Sequence, residues 1–227
     1  MIEIVSWTNA LAEKLVPLFG PRLRFLGYQG SYGRGEAKED SDIDIVAVLD
    51  ALSAEDLEVY RRAVGEMPRG HLACGFICGE RELYAWPKYD SLGLLLDTKP
   101  VVGDLKSLLP SFTKLDSQEA LAIGAAGLYH AACHSYLYNS NRKDALPGLA
   151  KAAFFCLRFW ALCRDGRYYP SKRELETVLA GREKELLRLS VEPERTAGFG
   201  SEEVGAAYAL LMDWCGDVLR NGREVAR

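Results

Sequence analysis

The spacing of apolar residues changes near residue 110 of this 227-residue chain, and that change limits the folds open to it. The first part alternates helix-like segments with short apolar runs rich in β-branched or aromatic residues, which are typical of strands. These runs are residues 23–28, 43–49, 71–78 and 98–102. The second part contains only segments with helical spacing. The pattern predicts an N-terminal domain of alternating strands and helices, residues 1–110, followed by a C-terminal helical bundle, residues 111–227.

Local signals predict where several helices begin and end. A helix over residues 8–18 is expected to stop at Gly20, and Ser53 is a suitable N-cap for a helix in the first part. Ser171 opens a capping-box sequence, which predicts another helix start. The remaining C-terminal helices are predicted at residues 117–138, 149–164 and 201–219, with a loop at 190–200.

The charge balance argues against a chain that binds mainly nucleic acid. Lys and Arg number 28 against 32 Asp and Glu, so the formal net charge is −4, whereas duplex-binding proteins usually carry an excess of basic residues. No uninterrupted apolar run approaches the roughly 20 residues that span a bilayer. The N-terminus lacks the basic region and apolar core of a signal peptide. We therefore expect a cytoplasmic protein with no membrane or duplex nucleic-acid partner.

One segment carries residue types suited to binding phosphate. Glycines at positions 30, 33 and 35 allow a tight turn after the first predicted strand and expose backbone N–H groups. Those groups, the Ser31 hydroxyl and a following helix N-terminus suit an anionic phosphate. Arg34 adds a permanently charged donor. Gly30, Ser31 and Arg34 are therefore candidate phosphate-binding residues.

Two carboxylates follow at the start of the next predicted strand. Asp42 and Asp44 are separated by one residue, and both point to the same side because successive strand side chains alternate. Two neighbouring carboxylates repel each other unless a cation lies between them, and Mg²⁺ prefers carboxylate and phosphate oxygens. The combination of the glycine-rich segment with Asp42 and Asp44 predicts a metal-dependent phosphate-binding site.

The full pattern G-S-x-x-R-G-x5-S-D-I-D-I, residues 30–45, closely resembles the signature of the polymerase-β-like nucleotidyltransferase superfamily. The two-part layout of this chain resembles that of small bacterial members that join this domain to a helical bundle, such as the aminoglycoside and lincosamide nucleotidyltransferases. The resemblance implies an α+β fold with a mixed N-terminal sheet and flanking helices. It also implies a nucleoside triphosphate co-substrate, two Mg²⁺ ions, and transfer of a nucleoside monophosphate with release of pyrophosphate.

Carried across by position, the resemblance implies that Gly30 and Ser31 hold the triphosphate while Asp42 and Asp44 ligate the metal ions. Arg34 would support the loop or contact phosphate. We expect ATP as the nucleotide and a hydroxyl of a small-molecule acceptor, aminoglycoside-like or other. Two alternatives stay open: a transferase with a protein acceptor, and a regulatory module that binds nucleotide without transferring it. The oligomeric state is open as well, with a homodimer among the options.

The resemblance is incomplete at one position. The superfamily commonly places a third carboxylate on a later strand, beside the first two. The corresponding run, residues 71–78, contains no acid. Cys74 falls about where that acid is expected, while Glu80 and Glu82 lie just beyond the run. This departure is the main argument for a member that binds nucleotide without catalysing transfer.

Two residues of the predicted helices join the candidate site. In the aminoglycoside enzymes a carboxylate from the helical domain can act as general base, and the corresponding helix here carries His130 and His134, four residues apart on one face. An imidazole can accept a proton near neutral pH, so His134 is our candidate base. The alternative for this pair is a hydrogen-bonded contact between helix and sheet. Lys151 interrupts an apolar helix start and either extends to solvent or contacts phosphate, and we include it among the candidate nucleotide-binding residues.

Overall fold

The computed structural model describes residues 2–191 and 196–221. The chain divides into two compact units, Met1–Ser111 and Phe112–Arg227. The described part of the first unit is a four-stranded mixed sheet with flanking helices, and that of the second unit is helical. The α+β fold predicted from the sequence is therefore confirmed.

The first unit holds all four strands of the sheet. Its elements are α1 (Ile4–Phe19), β1 (Leu23–Tyr28), α2 (Gly30–Arg34), β2 (Ile43–Leu49), α3 (Ala54–Gly65), β3 (Ala73–Gly79), α4 (Glu80–Ala85), α5 (Lys88–Asp97) and β4 (Lys99–Val102). The α1 helix begins earlier than predicted because the Glu3 carboxylate accepts hydrogen bonds from the N–H groups of Val5 and Ser6. The sequence analysis did not predict α4 and α5.

The strand order is β3-β2-β1-β4, with β2 parallel to β3 and the other two pairs antiparallel. Since β1 and β2 are antiparallel, the end of β1 lies beside the start of β2, and Tyr28 pairs with Ile45. The glycine-rich segment leaves the sheet at the end of β1. This topology brings it next to Asp42 and Asp44.

The two faces of β2 have different roles. Ile43, Ile45, Ala47 and Leu49 belong to the main core of the first unit, which also contains Trp7 and Leu11 of α1 and Ala63 and Val64 of α3. Because strand side chains alternate, Asp44 and Val46 lie on the other face of the sheet. Helix α4 packs against β2 and β3. The candidate carboxylate Asp44 thus stands on a strand whose opposite face is fixed by the core.

The start of α3 is held by a charged network. Ser53 and Asp56 form a capping box, in which each side chain accepts a hydrogen bond from the other residue's backbone N–H. The Arg22 guanidinium donates to both oxygens of the buried Asp56 carboxylate, at 2.8 Å each, and to Asp50 at 3.1 Å. The Arg22 guanidinium lowers the pKa of Asp56 below its usual range. Ser53 is therefore an N-cap, as the sequence predicted.

The second unit consists of helices around an apolar core. They are α6 (Lys114–Tyr138), α7 (Leu146–Asp165), α8 (Lys172–Val178), α9 (Gly181–Val191) and α10 (Ser201–Asn221). Ser171 caps α8, as predicted, by accepting a hydrogen bond from the Glu174 N–H. The loop prediction at 190–200 is wrong at its start, because α9 buries Leu186, Leu187 and Ser190 and continues to Val191. Residues 192–195 of that predicted loop lie outside the described part.

Among the described residues, one helical segment, Arg142–Asp165, is long and apolar enough to cross a membrane by length and composition alone. It comprises a short 3-10 turn and α7. Its side chains Leu149, Phe154 and Leu157 are buried in the core of the second unit. That burial is typical of the central helix of a folded bundle.

Candidate active site

The glycine-rich segment is a five-residue helix, α2, and not the loop that the sequence analysis predicted ahead of a helix. Its N-cap residue, Gln29, donates a backbone hydrogen bond to the Asp44 carbonyl at 2.9 Å. Gly35 ends the helix in the left-handed conformation, with φ +71°. The first N–H groups of a helix have no acceptor within the helix, so α2 presents donors at its Gly30 end.

Gly30 links the two halves of the sequence motif. It has φ +67°, and a Cβ placed on it would overlap Oδ2 of Asp44. Only glycine combines this backbone conformation with so close an approach to a carboxylate. The turn that offers N–H donors and the strand that offers a carboxylate are therefore in direct contact.

The remaining motif residues surround this contact. Ser31 is half-buried on α2, and its carbonyl accepts the Glu36 N–H at 2.8 Å. The Arg34 side chain is mostly buried, and its Nε donates to the Glu36 carboxylate at 3.0 Å. Arg34 thereby braces the segment after α2, and its contact with phosphate stays a prediction. The sequence analysis missed Glu36, whose only signal was an acid two residues from an arginine.

The carboxylates differ in exposure. Asp42 is exposed, just before β2, and Asp44 is half-buried as the second residue of that strand. Mg²⁺ in proteins is usually held by one or two carboxylates together with substrate phosphates and water. The carboxylate oxygens of Asp42 and Asp44 are ligands of the kind that such an ion takes, and Gly30 has no Cβ that would displace the Asp44 carboxylate.

A cysteine lies beside Asp44 where an acid was expected. In the parallel pairing of β2 with β3, Cys74 is the partner of Asp44, and its Sγ lies 3.4 Å from Asp44 Oδ1. The side chain is exposed. At the far end of the same pair Gly79 is the partner of Leu49, five residues beyond Asp44 and about 17 Å along the strand.

Glu80 and Glu82 follow that far end, on α4. Glu80 pairs with Arg24 at 2.8 Å, and the Glu82 carboxylate lies over Gly79. Both are therefore directed to the opposite end of the sheet from Asp44. Among the described residues, no group of three or more His, Cys, Asp and Glu side chains is arranged to hold a metal ion.

Comparison with known families shows what the part of the chain around Gly30 and Asp44 is similar to. The family model for a nucleotidyltransferase domain matches residues 24–98, from β1 to the end of α5. This part of the first unit is therefore similar to a nucleotidyltransferase domain. The match contains the glycine-rich segment, Asp42, Asp44 and Cys74, so the family resemblance expected from the sequence is confirmed.

Two similar proteins add detail to the nucleotidyltransferase domain. The chain is 42% identical over 66 residues to protein adenylyltransferase MntA from Thermococcus cleftensis, an alignment that covers 27% of this chain and 65% of that protein. The structure is also similar to spectinomycin adenyltransferase AAD(9) from Enterococcus faecialis, crystallised with ATP and spectinomycin. That likeness has a TM-score of 0.59 at 15% identity and covers 95% of this chain and 98% of the other. It extends the shared fold to the helical unit.

The other candidate residues belong to the second unit. His134 is exposed on α6, where its ring lies 6.0 Å from the His130 ring and 4.9 Å from the Tyr138 ring. Lys151 is exposed on α7, in agreement with the solvent-directed alternative. The first unit thus brings Gly30 and Asp44 into contact, and Ser31, Arg34 and Asp42 lie within four residues of one or the other along the chain. The roles of His134 and Lys151 stay predictions.

Proposed function

We propose that the chain transfers AMP from ATP to a hydroxyl group of an acceptor and releases pyrophosphate. The contact between Gly30 and the Asp44 carboxylate carries the proposal, because it joins a phosphate-binding turn to a metal-binding strand within a nucleotidyltransferase domain. Adenylyl transfer is supported by the names of both similar proteins, one a protein adenylyltransferase and the other crystallised with ATP.

Several residues of the domain contribute to binding the nucleotide. The N–H groups at the start of α2 and the Ser31 hydroxyl donate to the β- and γ-phosphates. Arg34, held by Glu36, keeps α2 in place and adds positive charge near the phosphates. Asp42 and Asp44 would hold Mg²⁺ through their carboxylate oxygens. Lys151 is proposed as a further phosphate contact.

Mg²⁺ bound at Asp42 and Asp44 would neutralise charge on the phosphates and lower the pKa of the acceptor hydroxyl. The acceptor oxygen forms a bond to the α-phosphorus as the bond to the bridging oxygen breaks, and pyrophosphate leaves with that oxygen. The hydroxyl proton passes to a base. We propose the His134 imidazole for this role, since it is exposed and the unprotonated nitrogen of a neutral imidazole can accept a proton.

A small-molecule acceptor is our first choice. It is supported by the shared fold with AAD(9), which covers 95% of this chain, helical unit included. A protein acceptor is the second choice, supported by 42% identity to a protein adenylyltransferase over 66 residues. The cytoplasmic location, a homodimer and the absence of nucleic-acid partners stay predictions.

A different class of function also has a specific observation in its favour. Cys74 is the strand partner of Asp44 where a third carboxylate was expected. A site with two carboxylates suits a module that binds nucleotide and metal without transferring AMP. This alternative predicts that the protein binds ATP but releases no pyrophosphate with any acceptor.

The experiment is calorimetric titration of nucleoside triphosphates, with and without Mg²⁺, into the wild type and into Asp42→Asn and Asp44→Asn variants. We expect Mg²⁺-dependent ATP binding that both substitutions abolish. Asp40→Asn is the matched control, since Asp40 lies two residues earlier, is 95% exposed and pairs with Arg69. A folded wild type that binds no triphosphate contradicts the proposal.

Transfer is measured next, as pyrophosphate release in the presence of acceptor panels. Release that needs Asp42 and Asp44 supports the transferase, and binding without release supports the regulatory module. His134→Gln is compared with His130→Gln, its neighbour on the same face of α6. If His134 accepts the proton, His134→Gln should slow pyrophosphate release and alter its pH profile, and His130→Gln should do neither.

A further inference from the structure

An aromatic pair, the half-buried Phe76 and the exposed Trp86, lies on β3 and at the end of α4. The rings of Phe76 and Trp86 meet edge to face, with centroids 5.1 Å apart and planes at 88°. Trp86 is 38% exposed and stands among the exposed large hydrophobic side chains of the described residues. Neither residue belongs to the main core of the first unit. The sequence analysis assigned no chemistry to Trp86.

The register of the sheet places this pair beside the carboxylate site. Phe76 is the strand partner of Val46, two residues after the partnership of Cys74 with Asp44. Residues two apart on a strand lie on the same face, about 6.6 Å apart. Phe76 therefore shares the face of the sheet that carries Asp44 and Cys74. Trp86 packs against Phe76 from α4.

The direction of the reaction distinguishes the two sides of Asp44. Gly30 and α2 approach Asp44 from the β1 side, and β3 lies on its other side. In phosphoryl and nucleotidyl transfer the attacking and leaving oxygens are roughly in line. Pyrophosphate bound by α2 would leave on the β1 side, and the acceptor hydroxyl would then approach from the β3 side.

We propose that Phe76 and Trp86 form the acceptor subsite of the nucleotidyltransferase domain and bind a cationic, sugar-like ring that carries the hydroxyl. The inference rests on the proposed function. An indole face contacts the apolar side of a sugar or cyclitol ring, and tryptophan is the most favourable side chain for cation–π attraction. The nearby carboxylates Asp42 and Asp44 favour positive charge on the acceptor.

The test measures acceptor and nucleotide binding separately. Wild-type protein is saturated with a non-hydrolysable ATP analogue and Mg²⁺ and titrated with spectinomycin, streptomycin and kanamycin, and with a glutamate–tyrosine copolymer as a protein-like probe. The variants are Trp86→Ala and Trp86→Phe. Tyr84→Ala is the control, because Tyr84 is 63% exposed on α4 and lines a separate cavity of about 910 Å³ with Asp50 and Glu80.

We expect at least one cationic cyclitol to bind, with a Kd that Trp86→Ala raises about tenfold or more and Trp86→Phe raises less. The Kd for the ATP analogue should change less than about twofold in both variants, and Tyr84→Ala should change neither constant. Thermal melting checks that the variants are folded.

Four results would overturn the inference without contradicting the proposed function. In the ATP-loaded wild type, these are binding of no cyclitol or binding of the copolymer alone. In Trp86→Ala, they are an unchanged Kd for the acceptor, or a loss of ATP affinity as large as the loss of acceptor affinity. The last result would assign the pair to the nucleobase. A wild type that does not bind ATP at all contradicts the proposed function itself. ATP binding therefore distinguishes failure of the proposed function from failure of the acceptor subsite.

Discussion

The Cys74 thiol lies 3.4 Å from Oδ1 of Asp44, its partner across the parallel strands β2 and β3. A sulfur donor therefore occupies the position nearest the proposed metal-binding carboxylate on the next strand. Mg²⁺ binds oxygen ligands and not thiols, so Cys74 adds little to a magnesium site. The two candidate classes of function, transferase and nucleotide-binding module, differ most in what they predict for this residue.

Replacing Cys74 by Asp tests whether the missing acid limits the reaction. The side chain is exposed and its strand position is unchanged, so we expect Cys74→Asp to fold and to raise Mg²⁺ affinity by roughly tenfold through an added carboxylate. Calorimetric titration of Mg²⁺ in the presence of an ATP analogue measures this. Cys74→Ser is the size-matched control without added charge. Equal affinities in Cys74→Asp and Cys74→Ser would show that position 74 does not reach the metal.

Gly30→Ala is expected to abolish ATP binding, because its methyl group would overlap the Asp44 carboxylate. The matched control is Gly35→Ala, where φ is +71° but nothing lies within 4 Å of the added Cβ. Both substitutions force alanine into the left-handed region and should cost about 1–2 kcal/mol of unfolding free energy. Calorimetry and thermal melting separate the two effects. An equal loss of ATP binding in both variants would show that backbone strain alone explains the loss in Gly30→Ala.

The Arg22–Asp56 pair predicts acid sensitivity of the first unit. Since the pKa of Asp56 is lowered in the folded state by its hydrogen bonds to Arg22, its contribution to stability is present above the ordinary carboxyl pKa near 4. That contribution is lost as the pH falls below about 4 toward the folded-state value. Asp56→Asn should lower the unfolding free energy by about 1–3 kcal/mol at pH 7.

Urea unfolding of the full chain at several pH values measures this difference, which should shrink toward pH 3. Asp50→Asn serves as control, since the Asp50 side chain is 45% exposed and receives one hydrogen bond from Arg22. Exposed ion pairs contribute about 0–1 kcal/mol. A pH-independent difference between wild type and Asp56→Asn would contradict the assignment.

Tyr32→Phe is expected to leave stability unchanged or to raise it. The Tyr32 hydroxyl is buried on α2, and no hydrogen-bond partner for it exists in the described part of the chain. Removing an unsatisfied buried hydroxyl loses no hydrogen bond. Tyr208→Phe is the opposite case, because the Tyr208 hydroxyl bonds to Ser135 at 3.0 Å and to the Arg142 carbonyl at 2.9 Å.

We expect Tyr208→Phe to lose about 1–3 kcal/mol of unfolding free energy by removing the hydrogen bonds to Ser135 and to the Arg142 carbonyl. Denaturant unfolding of both variants measures the contrast. A loss of the same size in Tyr32→Phe would show that its hydroxyl has a partner in solution, such as an ordered water.

Much of the first unit could be predicted from local sequence signals. The predicted β1 and β2 have the bounds seen in the structure, because alternation of side chains and flanking turn residues act over a few residues. The short helices α4 and α5 were missed, since neither is long enough to show a clear helical period. Helix α2 was read as a loop because its glycines disfavour a helix interior. Tertiary contacts with β2 overrode that preference.

Sequence alone predicted a phosphate-binding segment followed by a carboxylate strand at residues 30–45, because glycine, serine, arginine and two aspartates stand there at a characteristic spacing. It also indicated that Cys74 stands near the place of a third acid. Only the tertiary structure decided that Cys74 contacts Asp44, that Glu80 and Glu82 face the other end of the sheet, and that Phe76 and Trp86 meet beside the site. These contacts depend on the pairing register of strands about 30 residues apart, which packing of the whole sheet sets and no local pattern encodes.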